Sequence, residues 1–271
     1  MTSTGWLFVT AGVGRQNHFE AAQRLVRQIE KFELFDSCII LTNDLLLQIE
    51  PNYLRRFTEE ELANSPGYGY YAWKPILAVH ALEGGWGKVK GVFYLDAGSE
   101  ALATPITKRR LEHLLTKAEK NGAVTYPSGS LELSYSKSLL IREFADLRID
   151  DKTVQIQSGS WMLYGEIGRS IARTWLDLSE RKDLIDDTYS SNENQLFIGS
   201  RHDQSILSLI CKRFQIEPEN QIPRFRDGYL KRIIFSNMYP FRSVRNRGGA
   251  SDLNPFVAKL SEWMMHVAKL I

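Results

Sequence analysis

Gly67–Glu100 reads GYGYYAWKPILAVHALEGGWGKVKGVFYLDAGSE, and the order of its parts decides how the rest of the chain is read. Glycines and aromatics lead into Lys74-Pro75, after which Ile76, Leu77, His80 and Ala81 recur at helical spacing. Proline suits the first turn of a helix, so Lys74 is expected beside that helix's unpaired N–H groups, where a cation and free donors make a phosphate site. A glycine turn (Gly84, Gly85, Gly87) separates this helix from a short apolar run, Val92 to Leu95, which ends in Asp96-Ala97-Gly98. A carboxylate at the C-terminal end of a buried strand is where open α/β sheets bind ligands and metals. Phosphate cradle, strand, carboxylate: that order points to a nucleotide-diphosphate ligand.

Upstream, Trp6 to Thr10 (WLFVT) is a first buried strand, and Gly12, Gly14 and Arg15 make the turn after it. A helix follows from Asn17, with Phe19, Ala22, Leu25, Val26 and Ile29 on one face. Cys38 to Thr42 is a second apolar run closed by Asn43-Asp44, so strand, helix and strand imply a right-handed crossover and a parallel pair. Gly12-Val13-Gly14 lacks the third glycine of the dinucleotide fingerprint, and the turn reads equally as a simple connection. Tyr53 to Ala63 is charged and expected as a surface helix.

Downstream, Pro105 to Asn121 is an amphipathic helix and Ala123 to Tyr126 a strand. Gln155 to Tyr164 (QIQSGSWMLY) shows a glycine-serine break before an apolar run, and Ile167 to Leu178 is helical, burying Ile171, Trp175 and Leu178. Asp183 to Asn194 reads as a loop, after which Asp203 is placed as the N-cap of a helix with its apolar face starting at Ile206. Gln221 to Ala250 is basic and interleaved with aromatics, and an amphipathic helix begins at Asn254-Pro255. Two units are therefore expected, 1–217 and a basic extension, 218–271. That extension reads as a solvated face, or as a contact for an anionic membrane surface, a phosphorylated carrier or nucleic acid.

Bulk properties narrow the class. The 271 residues fit one large domain with an extension, and a formal net charge of +2 gives no argument for nucleic acid as a partner. Cys38 and Cys211 lie in apolar runs, as small core residues do, with no disulfide framework. No stretch reaches the ~20 apolar residues of a membrane span. With no basic region ahead of the first apolar run a secretory signal is not expected, which makes the cytoplasm the default location.

Each candidate group has two readings. Asp96 is either a ligand for a diphosphate-bridging cation or a turn aspartate. Lys74, between Trp73 and Pro75, is a phosphate partner or a lysine stacked on an aromatic. His202 and Asp203 are a ligand and a general base, or only a helix cap. The Gly159-Ser160-Trp161 run offers an indole face to a sugar ring, or places a tryptophan in the core.

The elements GYGYYAWKP, VFYLDAG, QSGSWMLYG and RHDQSIL, in that order, resemble GT-A-type bacterial glycosyltransferases of surface-polysaccharide (capsule or O-antigen) assembly. The similarity spans roughly Gly5 to Phe214. It implies an α/β fold, a GT-A-like, Rossmann-type mixed sheet flanked by helices. It also implies a nucleotide-sugar donor, such as a UDP-sugar, a divalent metal (Mn or Mg), and a saccharide or lipid-linked acceptor; the basic extension and its amphipathic helix add association with the inner face of the membrane as an option. Carried onto this chain, Asp96 matches the first residue of an Asp-x-Asp motif, while Gly98 stands where the second would be. Either Glu100 or His202 then supplies a further ligand, or metal dependence is weakened. The resemblance puts the nucleotide near Thr10, Gly12, Arg15 and Asn43, the diphosphate at Lys74 and Asp96, and Asp203-Gln204 at the anomeric carbon. Ser160, Trp161, Tyr70 and Trp73 border the substrates. A sugar-phosphate nucleotidyltransferase and a non-catalytic sugar- or membrane-binding module are the rival classes.

Overall fold

A computed structural model describes residues 4–219 and 239–243. Most of the basic segment and all of the expected C-terminal amphipathic helix lie outside the described residues. Seven strands are found: β1 (Trp6–Ala11), β2 (Ser37–Leu41), β3 (Gly91–Leu95), β4 (Ser99–Ala101), β5 (Ala123–Leu131), β6 (Val154–Tyr164) and β7 (Phe241–Ser243). Five form one sheet in the order β2-β1-β3-β6-β5, with β1 parallel to both β2 and β3 while β6 runs antiparallel to both β3 and β5. The expected α/β architecture, a mixed sheet flanked by helices, is the observed one.

Alternation along the strands sends side chains to two faces. Trp6, Phe8, Phe93, Leu95 and Met162 meet the helices Gln16–Ile29 and Pro105–Asn121 on one side. Leu7, Val9, Val92, Tyr94, Trp161 and Leu163 share the other core with residues of the helices Trp73–Leu82, Gly165–Ser179 and Asp203–Arg213. Asp96 continues the Val92–Tyr94 alternation, so the sheet itself turns it toward the face that carries Lys74 and Asp203.

Several local expectations are revised. The break expected within Gln155 to Tyr164 is a bulge inside one strand: Ser158, Gly159 and Ser160 continue β6, with Ser160 paired to Leu95 of β3, while the ladder to β5 shifts register between Ile156 and Trp161. Tyr53 to Ala63 is not one surface helix but a short turn, Tyr53–Arg56, and a helix, Glu59–Asn64, with Tyr53 fully buried. Asp203 is the first helical residue and His202 occupies the cap position, without a side-chain cap bond.

One described piece of the expected extension packs on the first unit. β7 pairs with β4, and Phe241 is buried against Phe93 and Tyr126. Arg242 reaches the fully buried Glu100 at 2.7 Å. Among the described residues no helix is long and apolar enough to cross a membrane. Cys211 is a buried free thiol, as expected of a core residue, whereas the free thiol Cys38 is only half-buried.

Candidate functional site

The parallel strands end together. Ala11 is level with Leu41, and Thr10 Oγ1 donates to the Leu95 carbonyl at 2.8 Å, so Gly12, Thr42-Asn43 and Asp96 leave the sheet along one edge. The crossing strand β6 completes that edge, since the Asp96 N–H donates to the Gly159 carbonyl at 2.8 Å. This edge is where side chains from separate elements converge.

Lys74 lies at its centre and is almost fully buried, 2% exposed. Its Nζ stands 3.1 Å from Asp96 Oδ1 and 3.6 Å from Asp203 Oδ2, and donates to the Ser158 carbonyl and hydroxyl at 3.3 Å. The rings of Tyr71, Tyr94 and Trp73 surround it, with centroids 4.8, 5.4 and 5.7 Å away. Burial alone favours the neutral amine, but Asp203 and Asp96 together hold Lys74 above the ordinary lysine range. The expected phosphate partner is therefore an internal counter-ion, its charge already committed to two carboxylates.

The two acids differ. Asp203 is 2% exposed, and burial pushes its carboxyl up to about 6 against the lowering effects of Lys74 and a Ser158 hydrogen bond. The Asp96 side chain is 48% exposed, with Oδ1 accepting from the Tyr94 hydroxyl at 2.7 Å. Its Oδ2 lies over Gly159, where a Cβ would approach it to 2.6 Å. One exposed carboxylate is thus backed by a buried lysine and a buried second acid.

An unusual backbone brings Lys74 there. Gly67, Tyr68, Gly69, Tyr70 and Tyr71 all have positive φ, at 62°, 58°, 84°, 57° and 62°. Each non-glycine in that region costs roughly 1 kcal/mol or more, so the turn needs external ties. The Tyr53 hydroxyl donates to the Tyr68 carbonyl at 2.6 Å, and Trp73 Nε1 to the Gly67 carbonyl at 2.7 Å. Gly69 is confined as well, since a Cβ there would meet the Phe57 ring and the Tyr53 hydroxyl at 2.8 Å. Tyr68 is carried against Gly14, whose turn Asn43 Oδ1 secures by accepting the Gly14 N–H at 2.9 Å.

The other expected residues scatter in role. Thr10 is buried and Gly12 half-buried, whereas Arg15 is exposed just before the helix Gln16–Ile29. Trp161, expected beside an acceptor, is fully buried and stacks on Tyr94 with centroids 5.0 Å apart, and Ser160 is 2% exposed. Both indole faces are therefore taken by the core. Tyr70 and Trp73 are buried too, Tyr70 against the His202 ring at 5.0 Å. Gln204 Nε2 donates to Gln155 Oε1 at 2.6 Å, which joins it to a buried network through Gln155, Ser205 and Glu132.

A protein-held metal finds no such set of ligands. Glu100 is buried against Arg242, and His202 Nδ1 is bound to the Ile185 carbonyl at 2.8 Å. Among the described residues no three His, Cys, Asp or Glu side chains are grouped to hold a metal ion. The residues that sequence reasoning missed are Tyr94 and Ser158, which with Gly159, read there only as part of an acceptor platform, seat Asp96 and Lys74. Their signal is positional, two residues before Asp96 and inside a run that looked like a break.

No family model matches the chain, and no curated protein matches it. Among solved structures it is similar in shape to a glycosyltransferase involved in the glycosylation of the major capsid of PBCV-1 (9% identity, TM-score 0.49, covering 96% of this chain and 98% of that one). It is also similar to apo mouse xyloside xylosyltransferase 1 (12% identity, TM-score 0.45, 88% and 97% covered). A third likeness is to 4-diphosphocytidyl-2C-methyl-D-erythritol synthase from Anaerococcus prevotii (8% identity, TM-score 0.39, 96% of each chain). Scores this low leave the chemistry of the site to its own residues.

Proposed function

We propose that this chain transfers a sugar from a nucleotide-diphosphate donor to a saccharide or lipid-linked saccharide. The observation that carries the reading is the charge of the edge cluster. Asp96 and Asp203 share one buried ammonium, so with both acids ionised the group carries one net negative charge, facing outward through the Asp96 carboxylate. A sugar leaving its diphosphate develops positive charge at the anomeric carbon and ring oxygen, which a preorganised negative cluster stabilises. Sugar hydroxyls also donate to an exposed carboxylate oxygen. Nucleotidyl transfer develops negative charge around phosphorus, which the same cluster opposes.

On this reading Asp96 meets the donor sugar. Lys74, Tyr94 and Ser158 hold the assembly rigid, and Asp203 sets its net charge from behind. The nucleotide lies over Gly12 to Arg15 and Asn43, where the first turn of the helix Gln16–Ile29 has N–H groups to offer a phosphate. A divalent ion, if the donor brings one, supplies charge to the leaving diphosphate; the described residues do not assemble a site for it, and no step here depends on it. The order of the GYGYYAWKP, VFYLDAG and RHDQSIL elements supports the reading, since those elements supply Lys74, Asp96 and Asp203.

A screen of nucleotide-sugars for release of the nucleoside diphosphate tests it. Release by the wild type that falls about 100-fold or more in Asp96→Asn is the expected result. Pyrophosphate release from a nucleoside triphosphate and a sugar phosphate would instead favour the nucleotidyltransferase. No thermal shift with any nucleotide would favour a non-catalytic module.

A further inference from the structure

The residue before Asp203 has a ring nitrogen that the cluster does not use. His202 is buried, its side chain 8% exposed, and Nδ1 lies 2.8 Å from the Ile185 carbonyl. A carbonyl only accepts, so Nδ1 carries the proton, and in the neutral ring Nε2 presents a lone pair. Burial keeps the ring neutral by lowering its pKa, with the Ile185 bond and Asp187 opposing and Lys137 adding to the shift. What Nε2 faces is Asp187 Oδ1, 3.8 Å away. Two acceptors at that separation share no proton, yet both lie within reach of a donor about 2.8 Å from each.

The surroundings identify the donor's class. Asp187 is half-exposed and is fixed by the Tyr189 hydroxyl, which donates to Oδ1 at 2.5 Å. The Tyr189 ring is 45% exposed, with Phe197 edge-on at 5.3 Å and the buried Lys137 ammonium over the ring 5.6 Å from its centroid, so the exposed part of the ring is the one turned away from Lys137. Tyr70 holds the other side of the imidazole. An exposed aromatic face beside a buried lone pair and an anchored carboxylate suits a ligand with C–H surface on one side and neighbouring hydroxyls on the other. A vicinal diol supplies two donors for the two acceptors.

We infer that His202 Nε2, Asp187 and Tyr189 form the acceptor subsite, binding the vicinal hydroxyls and one C–H face of a saccharide. The inference rests on the sugar-transfer reading, to which it adds the acceptor. His202 and Asp203 are consecutive at the start of the helix Asp203–Arg213, so the subsite and the acidic cluster share that end of the helix. The exposed Tyr189 ring takes the part that the buried Trp161 is unable to play.

Saturation-transfer NMR of the full chain with methyl glucoside, methyl galactoside and methyl mannoside, without donor, tests the subsite. Wild-type protein is expected to saturate the ring protons of at least one glycoside. Tyr189→Ala and Asp187→Ala are each expected to weaken the response about tenfold. Their melting temperatures should fall by no more than a few degrees, since both side chains are about half exposed and lose only local contacts. Tyr189→Phe, which keeps the ring, should retain most of the stacking signal. No response from wild type, or an equal response from both alanine variants, would overturn the subsite. So would Mn²⁺ that broadens the His202 resonances and displaces the glycoside, because a cation would then be what the pair holds. Nucleotide release is read separately: glycoside binding without release sinks sugar transfer, and release without glycoside binding sinks only the subsite.

Discussion

Gly159 leaves the space that the carboxylate of Asp96 occupies: a Cβ at position 159 would lie 2.6 Å from Oδ2. The atom it would meet is the end of a half-exposed side chain, which can swing away but gives up its bonds to the buried Tyr94 hydroxyl and Lys74 ammonium. Gly159→Ala is therefore expected to cost about 1–3 kcal/mol of stability, the cost of buried polar groups left unsatisfied. The displaced carboxylate would lose its bonds to Tyr94 and Lys74, so nucleotide release should fall about 100-fold. Denaturant titration alongside the release assay separates the two effects; equal losses in both would argue against the seating role.

Lys74→Met removes the shared cation and strands Asp203 in the core. Breaking a buried pair from one side costs about 3–5 kcal/mol, mostly from the uncompensated charge. Adding Asp203→Asn should recover part of that loss, because the stranded charge goes with it. Urea unfolding of the two single variants and the double variant measures the coupling, and strict additivity would mean that the pair is not coupled.

The pH dependence follows from Asp203. Its carboxyl is raised from 3.8 to about 6 in the fold, so between those values the folded chain binds more protons than the unfolded one. Its contribution to stability is therefore fully present below 3.8, is lost as pH rises through about 6, and stays lost above. Activity should move the opposite way, since protonating Asp203 takes the cluster from a net negative charge to zero. An acid limb near 6 in nucleotide release, absent from the residual activity of Asp203→Asn, is expected. A pH-independent rate from 5 to 8 would count against the charge argument.

Trp161→Ala should unfold the site rather than edit it. The indole is fully buried between Tyr94 and Trp175. Large aromatic-to-alanine changes in a core cost about 3–5 kcal/mol, so a drop in melting temperature is expected to account for lost activity. If activity fell while thermal stability held, a direct contact with substrate would be the better account.

Manganese alone should leave the melting temperature unchanged, because a cation that binds the folded chain must raise it. A rise that disappears in Asp96→Ala would reveal a site that the side-chain arrangement does not suggest.

Much of this was legible in the residues. The strand-turn-helix at Trp6–Ile29 and the order Lys74, Asp96, Asp203 follow from periodicity and punctuation, which are local properties. Lys74 and Asp96 were expected to converge and do, 3.1 Å apart, but the reason differs. Composition cannot reveal that Asp203, 129 residues beyond Lys74 (203 − 74), shares the same ammonium and consumes its charge. Ser158-Gly159-Ser160 looked like a break because those residues favour turns; the irregularity is real, a register shift against β5, but pairing to β3 keeps the run in the strand. The left-handed turn was signalled by its two glycines, yet Tyr68, Tyr70 and Tyr71 give no local hint of positive φ. Their conformation is imposed by Tyr53, Trp73 and Phe57, which are tertiary contacts.

The seating of Phe241 has a consequence for biosynthesis. Glu100 and Arg242 meet across 142 residues, so the aromatic layer formed with Phe93 and Tyr126 stays open on the nascent chain until Phe241 and Arg242 have left the ribosome. Contacts of such long separation form late and slowly. The half-made sheet therefore emerges with a greasy surface that a chaperone would be the first to meet.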